Sequence, residues 1–226
     1  MDQTLTSLIA ASVAFVGSHF AMSHPLRAAL VRMLGEGGFA GVYSLVSAGC
    51  MAWMYFAFTA VSPGAPLWGE FGDSVWIVAT VLTLVAMILF AGSLIGNPAL
   101  PAPGAEKAAR AEPAGVFKVT RHPMMWGFAL WALSHIVAAP TPRTLVVALA
   151  VLFLALVGAH MQDRKKAVLM GEAWAEWSAK TRYWPRWGRL ATVGLFPLLG
   201  GTALWLGASW SHITLGGWEA GIWRWV

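Results

Sequence analysis

Six histidines and one cysteine are the residues here best suited to chemistry on a metal or a proton, and their positions decide what chemistry is open to them. His19 and His135 stand inside long apolar runs, where an ionisable side chain is costly and needs a partner. His135 shares a helical face with Trp131 and Ala132 before it and Ala138 and Ala139 after it, at the spacings that bring side chains together. Small neighbours there leave room for a flat ligand. His19 adjoins Ala10, Ala14 and Ser18, a small-residue ladder that favours close helix packing. Two neutral imidazoles on different helices are what a b-type haem needs as axial ligands. Two buried histidines donating to backbone carbonyls or serine hydroxyls would satisfy the same pattern without a cofactor.

Axial ligands must also lie at nearly the same depth. At a rise of about 1.5 Å per residue in a core about 30 Å thick, His19 falls roughly 9 Å and His135 roughly 17 Å above the same membrane edge. Tilt can absorb a gap of about 8 Å. His122 paired with His19 is the competing geometry. His24, His160 and His212 fall at the ends of apolar runs, where solvation is easy, and read as interfacial residues. The single Cys50 permits no disulfide within one chain and no cysteine-based metal cluster.

A second feature is Arg121-His122-Pro123. Proline suits the first turn of a helix, where its missing N–H costs nothing. Arg121 and His122 are therefore expected at a helix N-terminus, with Lys118 just upstream, in a setting that attracts an anion. A cofactor carboxylate, a haem propionate or a lipid phosphate would fit, and so would simple anchoring by positive charge.

The elements that must hold these residues are membrane helices. Of 226 residues, 58% are apolar and only 11% charged, whereas a soluble domain carries about 25% charge. The expected fold is all-α, one integral-membrane bundle of six transmembrane helices over residues 1–226, with spans near 5–24, 39–61, 74–95, 124–139, 144–160 and 191–210. The Met1-Asp2-Gln3 start lacks a cationic region, so the first run is expected to be a retained helix. Thirteen of the fifteen Lys and Arg residues fall in the connections 1–2, 3–4 and 5–6, which predicts that face in the cytoplasm and both termini outside. The basic residues are juxtamembrane and accompany no recognition motif, so nucleic acid is not an expected partner. Most of the 14 Trp lie near span ends, as an interfacial belt does. Residues 163–184 read as a continuation of the fifth helix along the membrane surface.

The run Gly115-Val116-Phe117-Lys118-Val119-Thr120-Arg121-His122-Pro123-Met124-Met125-Trp126-Gly127, followed by Leu130-Trp131-Ala132-Leu133-Ser134-His135, resembles the signature of the NnrU family and its plant relative, zeta-carotene isomerase. Gly17-Ser18-His19, Leu26-Arg27, Leu34-Gly35-Glu36 and Asp163-Arg164-Lys165 add to the likeness, which covers about residue 13 to Pro185. The resemblance implies haem b held by two histidines at the positions of His19 and His135. The isomerase carries a cysteine three residues before the second histidine. Ala132 stands there in this chain, so ligand switching through that thiol is absent. The family's association with nitrite and nitric oxide reduction implies a denitrifying context in a bacterial inner membrane.

The same region is similar to the isoprenylcysteine and phospholipid methyltransferases, which bind S-adenosylmethionine. That likeness would put Arg121, His122 and Asp163 in a cofactor site. Their second motif is matched here only by Gln162, Asp163, Met170, Gly171, Trp174 and Trp177, and Met125 replaces a tyrosine. Three functions are thus expected to compete. The first is a bis-His haem b protein with a redox-linked role, in electron transfer or polyene isomerisation, partnered by a hydrophobic polyene or a redox protein, with Arg121 and His122 on an anionic group. The second is a membrane methyltransferase on a lipid or prenyl substrate, and the third is a non-enzymatic assembly factor of a respiratory complex.

Overall fold

The computed structural model describes residues 2–69, 72–101 and 103–226. Among them there is no strand. Eight α-helices follow in order: α1 Gln3–Ser23, α2 Arg27–Ala60, α3 Asp73–Gly92, α4 Ala105–Arg110, α5 Pro123–Ala138, α6 Pro142–Met170, α7 Glu172–Lys180 and α8 Leu195–Gly216. Short 3-10 turns occupy Gly115–Lys118, Trp187–Thr192 and Gly221–Arg224.

The all-helical membrane architecture holds, but six full spans do not emerge. Four helices, α1, α2, α3 and α6, are long and apolar enough to cross a bilayer. The expected span at 124–139 is α5, whose 16 residues measure about 24 Å, less than the ~30 Å core. The expected span at 191–210 begins only at Leu195, because Trp187–Thr192 is 3-10 turn and Gly194, with φ 86°, precedes the helix. The second span extends further than expected: α2 begins at Arg27 and runs through its basic connection, broken at Gly35. There φ is 70°, in the left-handed region that glycine adopts without a Cβ penalty.

The chain forms two compact units. The first comprises Met1–Gly69 and Ala139–Leu154. Asp2 caps α1 by accepting from the Thr4 N–H at 3.0 Å. α1 packs along α2, and Leu8, Ala57 and Val61 form a buried cluster flanked by Leu5, Phe58, Val146 and Val147. Arg143 donates to the Val61 carbonyl at 3.0 Å and lies over the Phe58 ring, which satisfies an orphan acceptor at the end of α2.

The second unit comprises Glu70–Ala138 and Ala155–Val226, and α3 is its hub. α5 and α8 both pack against α3, and glycines allow the approach. A Cβ on Gly127 would stand 2.8 Å from the Ala86 oxygen, and one on Gly201 only 2.4 Å from the Ile88 Cα. Trp205 ties α8 to α3 by donating to Thr83 Oγ1 at 3.0 Å. At the polar end, Gly171, with φ 51°, separates α6 from α7. α7 packs on α4, joined by Arg110–Glu176 and Lys180–Glu112 ion pairs.

Gly201 and Gly207 lie on the same helix and differ in surroundings, since nothing stands within 4 Å of a Cβ on Gly207. Gly201→Ala should therefore destabilise the protein by about 1–3 kcal/mol, and Gly207→Ala should leave it unchanged or gain up to about 1 kcal/mol of helix propensity. Unfolding of the two variants in detergent, followed by circular dichroism, tests the contrast.

Candidate functional site

In the first unit, His19 sits near the C-terminal end of α1. Its Nδ1 lies 2.7 Å from the Phe15 carbonyl, one turn back. A carbonyl oxygen can only accept, so Nδ1 carries the proton and Nε2 keeps its lone pair. That lone pair faces only a long contact of 3.4 Å from the Ser47 hydroxyl on α2. The Phe15 ring, at 4.3 Å between centroids, and Tyr43, edge-on at 5.3 Å, hold the imidazole between them.

The second unit repeats the device twice. His135, near the end of α5, directs Nδ1 to the Trp131 carbonyl at 2.8 Å and stacks on the Trp131 ring at 4.2 Å. Ser134 shares that carbonyl and also approaches Nδ1 at 3.2 Å. On α8, His212 directs Nδ1 to the Ala208 carbonyl at 2.9 Å. The His135 and His212 rings lie 6.1 Å apart, inclined by 33°. Among the described residues neither Nε2 has a hydrogen-bond partner.

A separate polar cluster surrounds Arg121 and His122, the residues expected to attract an anion. The anion they meet is the chain's own Asp163. Arg121 grips it with Nε at 2.9 Å from Oδ1 and one terminal nitrogen at 2.5 Å from Oδ2, and His122 Nε2 shares Oδ1 at 2.8 Å. The His122 side chain is fully buried, and those of Arg121 and Asp163 are 16% and 19% exposed. Backbone pairing fixes the cluster: Arg121 N–H donates to Arg182 O at 2.8 Å, Arg186 N–H donates to Val119 O, and Thr120 Oγ1 donates to Tyr183 O. His122 Nδ1 is buried and finds no partner among the described residues. A cavity of about 20 Å³, lined by Asn97, Arg121, His122 and Gln162 among others, adjoins it, which is room for one water.

Asp163 lies beyond the apolar run 144–160, on the polar extension of α6. Burial alone would raise its carboxyl, but the hydrogen bonds and charges of His122 and Arg121 outweigh burial and hold it at about 2. Tyr183 is displaced upward, first by burial and then by the Asp163 charge, and its hydroxyl donates to the Leu156 carbonyl.

Of the residues expected from sequence to form a site, the structure joins Arg121 and His122 to Asp163, the three that the methyltransferase likeness groups. His19 belongs to the first unit and His135 to the second. The neighbour that sequence reasoning passed over is His212, read as interfacial. No local spacing links residues 135 and 212, because only the packing of α5 and α8 on α3 brings them together.

Because the Asp163 carboxyl ionises near 3.8 when unpaired and near 2 when folded, its pairing is fully stabilising above about pH 4 and is lost as pH falls through about 2, a contribution of order 2 kcal/mol. Asp163→Asn should lower the unfolding midpoint at neutral pH and flatten the dependence of stability on pH between about 4 and 2. Thermal unfolding across that range checks this, and an undiminished slope in the variant would assign the acid lability to other carboxylates.

Comparison with curated proteins and with solved structures yields no match. The family model described as NnrU protein matches residues 7–220. That match takes in α5 with His135, α8 with His212, the Arg121–His122–Asp163 cluster and nearly all of α1 with His19, and the chain belongs to the NnrU family.

Proposed function

We propose that this NnrU-family chain is a membrane haem b protein with two imidazole ligands, His19 and His135, and a redox-linked role. The observation that supports the reading is the state of the rings. In both, Nδ1–H is spent on the carbonyl one turn back, at 2.7 and 2.8 Å, which keeps the lone pair on Nε2; that of His135 has no hydrogen-bond partner among the described residues, and that of His19 meets the Ser47 hydroxyl at 3.4 Å. This is the outer-shell arrangement that orients metal-bound histidine and raises its basicity. The donor set fits iron in a porphyrin, for which imidazole is a common axial ligand.

Bound haem b would supply one-electron chemistry. The chain's part would be to hold the group through His19 and His135 and to fix their ring planes. Phe15 and Tyr43 enclose one imidazole and Trp131 covers the other, and such burial is one of the means by which a protein sets a haem potential. Held by both imidazoles, the group would have no position open to a further ligand, which would favour electron transfer. Isomerisation of a polyene such as a carotenoid, or reaction with a small nitrogen oxide, would require one imidazole to leave. The thirteen-residue basic face is placed in the cytoplasm of a bacterial inner membrane and both termini in the periplasm. In this reading Arg121 and His122 lock Asp163, and through it join α5 to α6.

The protein purified in mild detergent from haem-replete cells should carry about one haem b per chain, measured as the pyridine haemochrome. The double variant His19→Ala/His135→Ala should retain less than about a tenth of it, because neither proposed ligand remains. Full haem content in a folded double variant would overturn the assignment, and stoichiometric binding of S-adenosylmethionine by haem-free protein would favour methyl transfer instead.

A further inference from the structure

The turn that leads into α8 is cationic and meets no acid of the chain. Between Glu176 and Glu219 the sequence holds no acidic residue, yet it carries Arg182, Arg186 and Arg189, all exposed. Carboxylates at this end of the second unit are engaged elsewhere: Asp163 by Arg121, Glu176 by Arg110 and Glu112 by Lys180. Among the described residues none of the three arginines forms an ion pair, nor does the exposed Lys118.

Main-chain bonds hold these cations in place. Arg121 N–H donates to the Arg182 carbonyl at 2.8 Å, Arg186 N–H donates to the Val119 carbonyl at 2.9 Å, and Lys118 is next to that acceptor. Arg189 N–H closes a turn on the Arg186 carbonyl at 2.8 Å. The two arginines therefore belong to one 3-10 turn and its cap, in which residues three apart stand over one another. Guanidinium is permanently charged, and its planar fork of donors suits phosphate oxygens.

The stretch is also amphipathic in the order a lipid is. Trp184 is 71% exposed and Trp187 is exposed as well, although both rings rest against Trp126, at 5.4 and 6.1 Å between centroids. Indoles so placed suit the headgroup level of a bilayer, with the apolar body inward and the N–H wet. Directly after the turn, α8 opens with Leu195, Phe196 and Leu199, all exposed. Cations, indoles and an apolar helix face thus succeed one another along a short length of chain. A zwitterionic headgroup would bring an ammonium for which this stretch has no carboxylate, whereas an anionic one brings only the charge the stretch lacks.

We infer that the turn Trp187–Thr192 and its flanks form a binding site for an anionic phospholipid. Arg186 and Arg189 take the headgroup phosphate, Trp184 and Trp187 lie at headgroup depth, and the acyl chains run along the start of α8. The site lies wholly in the second unit and is independent of haem.

Native mass spectrometry of the purified full-length protein, delipidated in detergent and titrated with phosphatidylglycerol or phosphatidylcholine of the same chains, tests this. Phosphatidylglycerol should bind at about one per chain and at least about tenfold more tightly than phosphatidylcholine. Arg186→Gln/Arg189→Gln should lose at least about tenfold in phosphatidylglycerol affinity and keep its phosphatidylcholine affinity, and Arg186→Lys/Arg189→Lys should lose less. Both arginines bond to the fold through their main chain, so the circular dichroism of these variants should match wild type. Arg32→Gln/Lys107→Gln removes the same charge from exposed residues elsewhere and should change neither affinity by more than about twofold. If both glutamine pairs weaken phosphatidylglycerol binding equally, the attraction is that of overall charge and the site is wrong. Equal affinity for the two lipids, or undiminished phosphatidylglycerol binding by Arg186→Gln/Arg189→Gln, would also overturn it.

Discussion

In hydrocarbon, a polar group that finds no partner within the chain finds none at all. The helices of this protein answer that constraint in one recurrent way, by turning side chains back onto their own backbone. Ser12, Thr83, Ser93, Ser134, Ser209 and Ser211 each donate to a carbonyl three or four residues earlier. Three histidines do the same. For a hydroxyl this satisfies the donor and is the end of the matter. For an imidazole it fixes the tautomer, because the proton must sit on Nδ1 and the lone pair on Nε2. A rule of membrane solvation thereby leaves three imidazoles with the proton on Nδ1 and the lone pair on Nε2.

The polar end of the second unit obeys a different rule. Arg121, His122 and Asp163 are removed from water together, and each is tolerable there because the other two are present. Their mutual grip, with the backbone pairing of residues 119–121 to 182–186, fixes the start of α5 against the end of α6. The Arg-His-Pro motif thus has a structural role in its own right, and α5 carries His135 at its other end. The residues on which the methyltransferase likeness is read are the ones that form this lock, and a motif of this kind specifies local geometry before it specifies chemistry.

What sequence revealed followed from hydrophobic length and local spacing. The apolar runs at 5–24, 74–95 and 144–160 became α1, α3 and most of α6, because a span of about 20 apolar residues has few alternatives in a bilayer. Pro123 starts α5, as its missing N–H allows. Short or interrupted segments were harder to read: Gly194 delays α8, and the helix of residues 27–38 was hidden by its charges. The site was legible where the chemistry is local, as with the i−4 carbonyl available to each buried histidine. Pairing between distant helices was not legible from spacing: Asp163 was grouped with Arg121 and His122 only through the methyltransferase likeness, and the nearness of His135 to His212, nearly eighty residues apart, has no signal in either segment.

Imidazole ligation of a haem iron is probed most directly by electron paramagnetic resonance of the purified ferric protein, which reads the ligand field of the iron. A low-spin ferric signal with the g-anisotropy of two imidazole ligands is the expected result, broadened or lost when His135 is replaced. A folded protein from haem-replete cells that shows no such signal, or the same signal after His135→Ala, would contradict it.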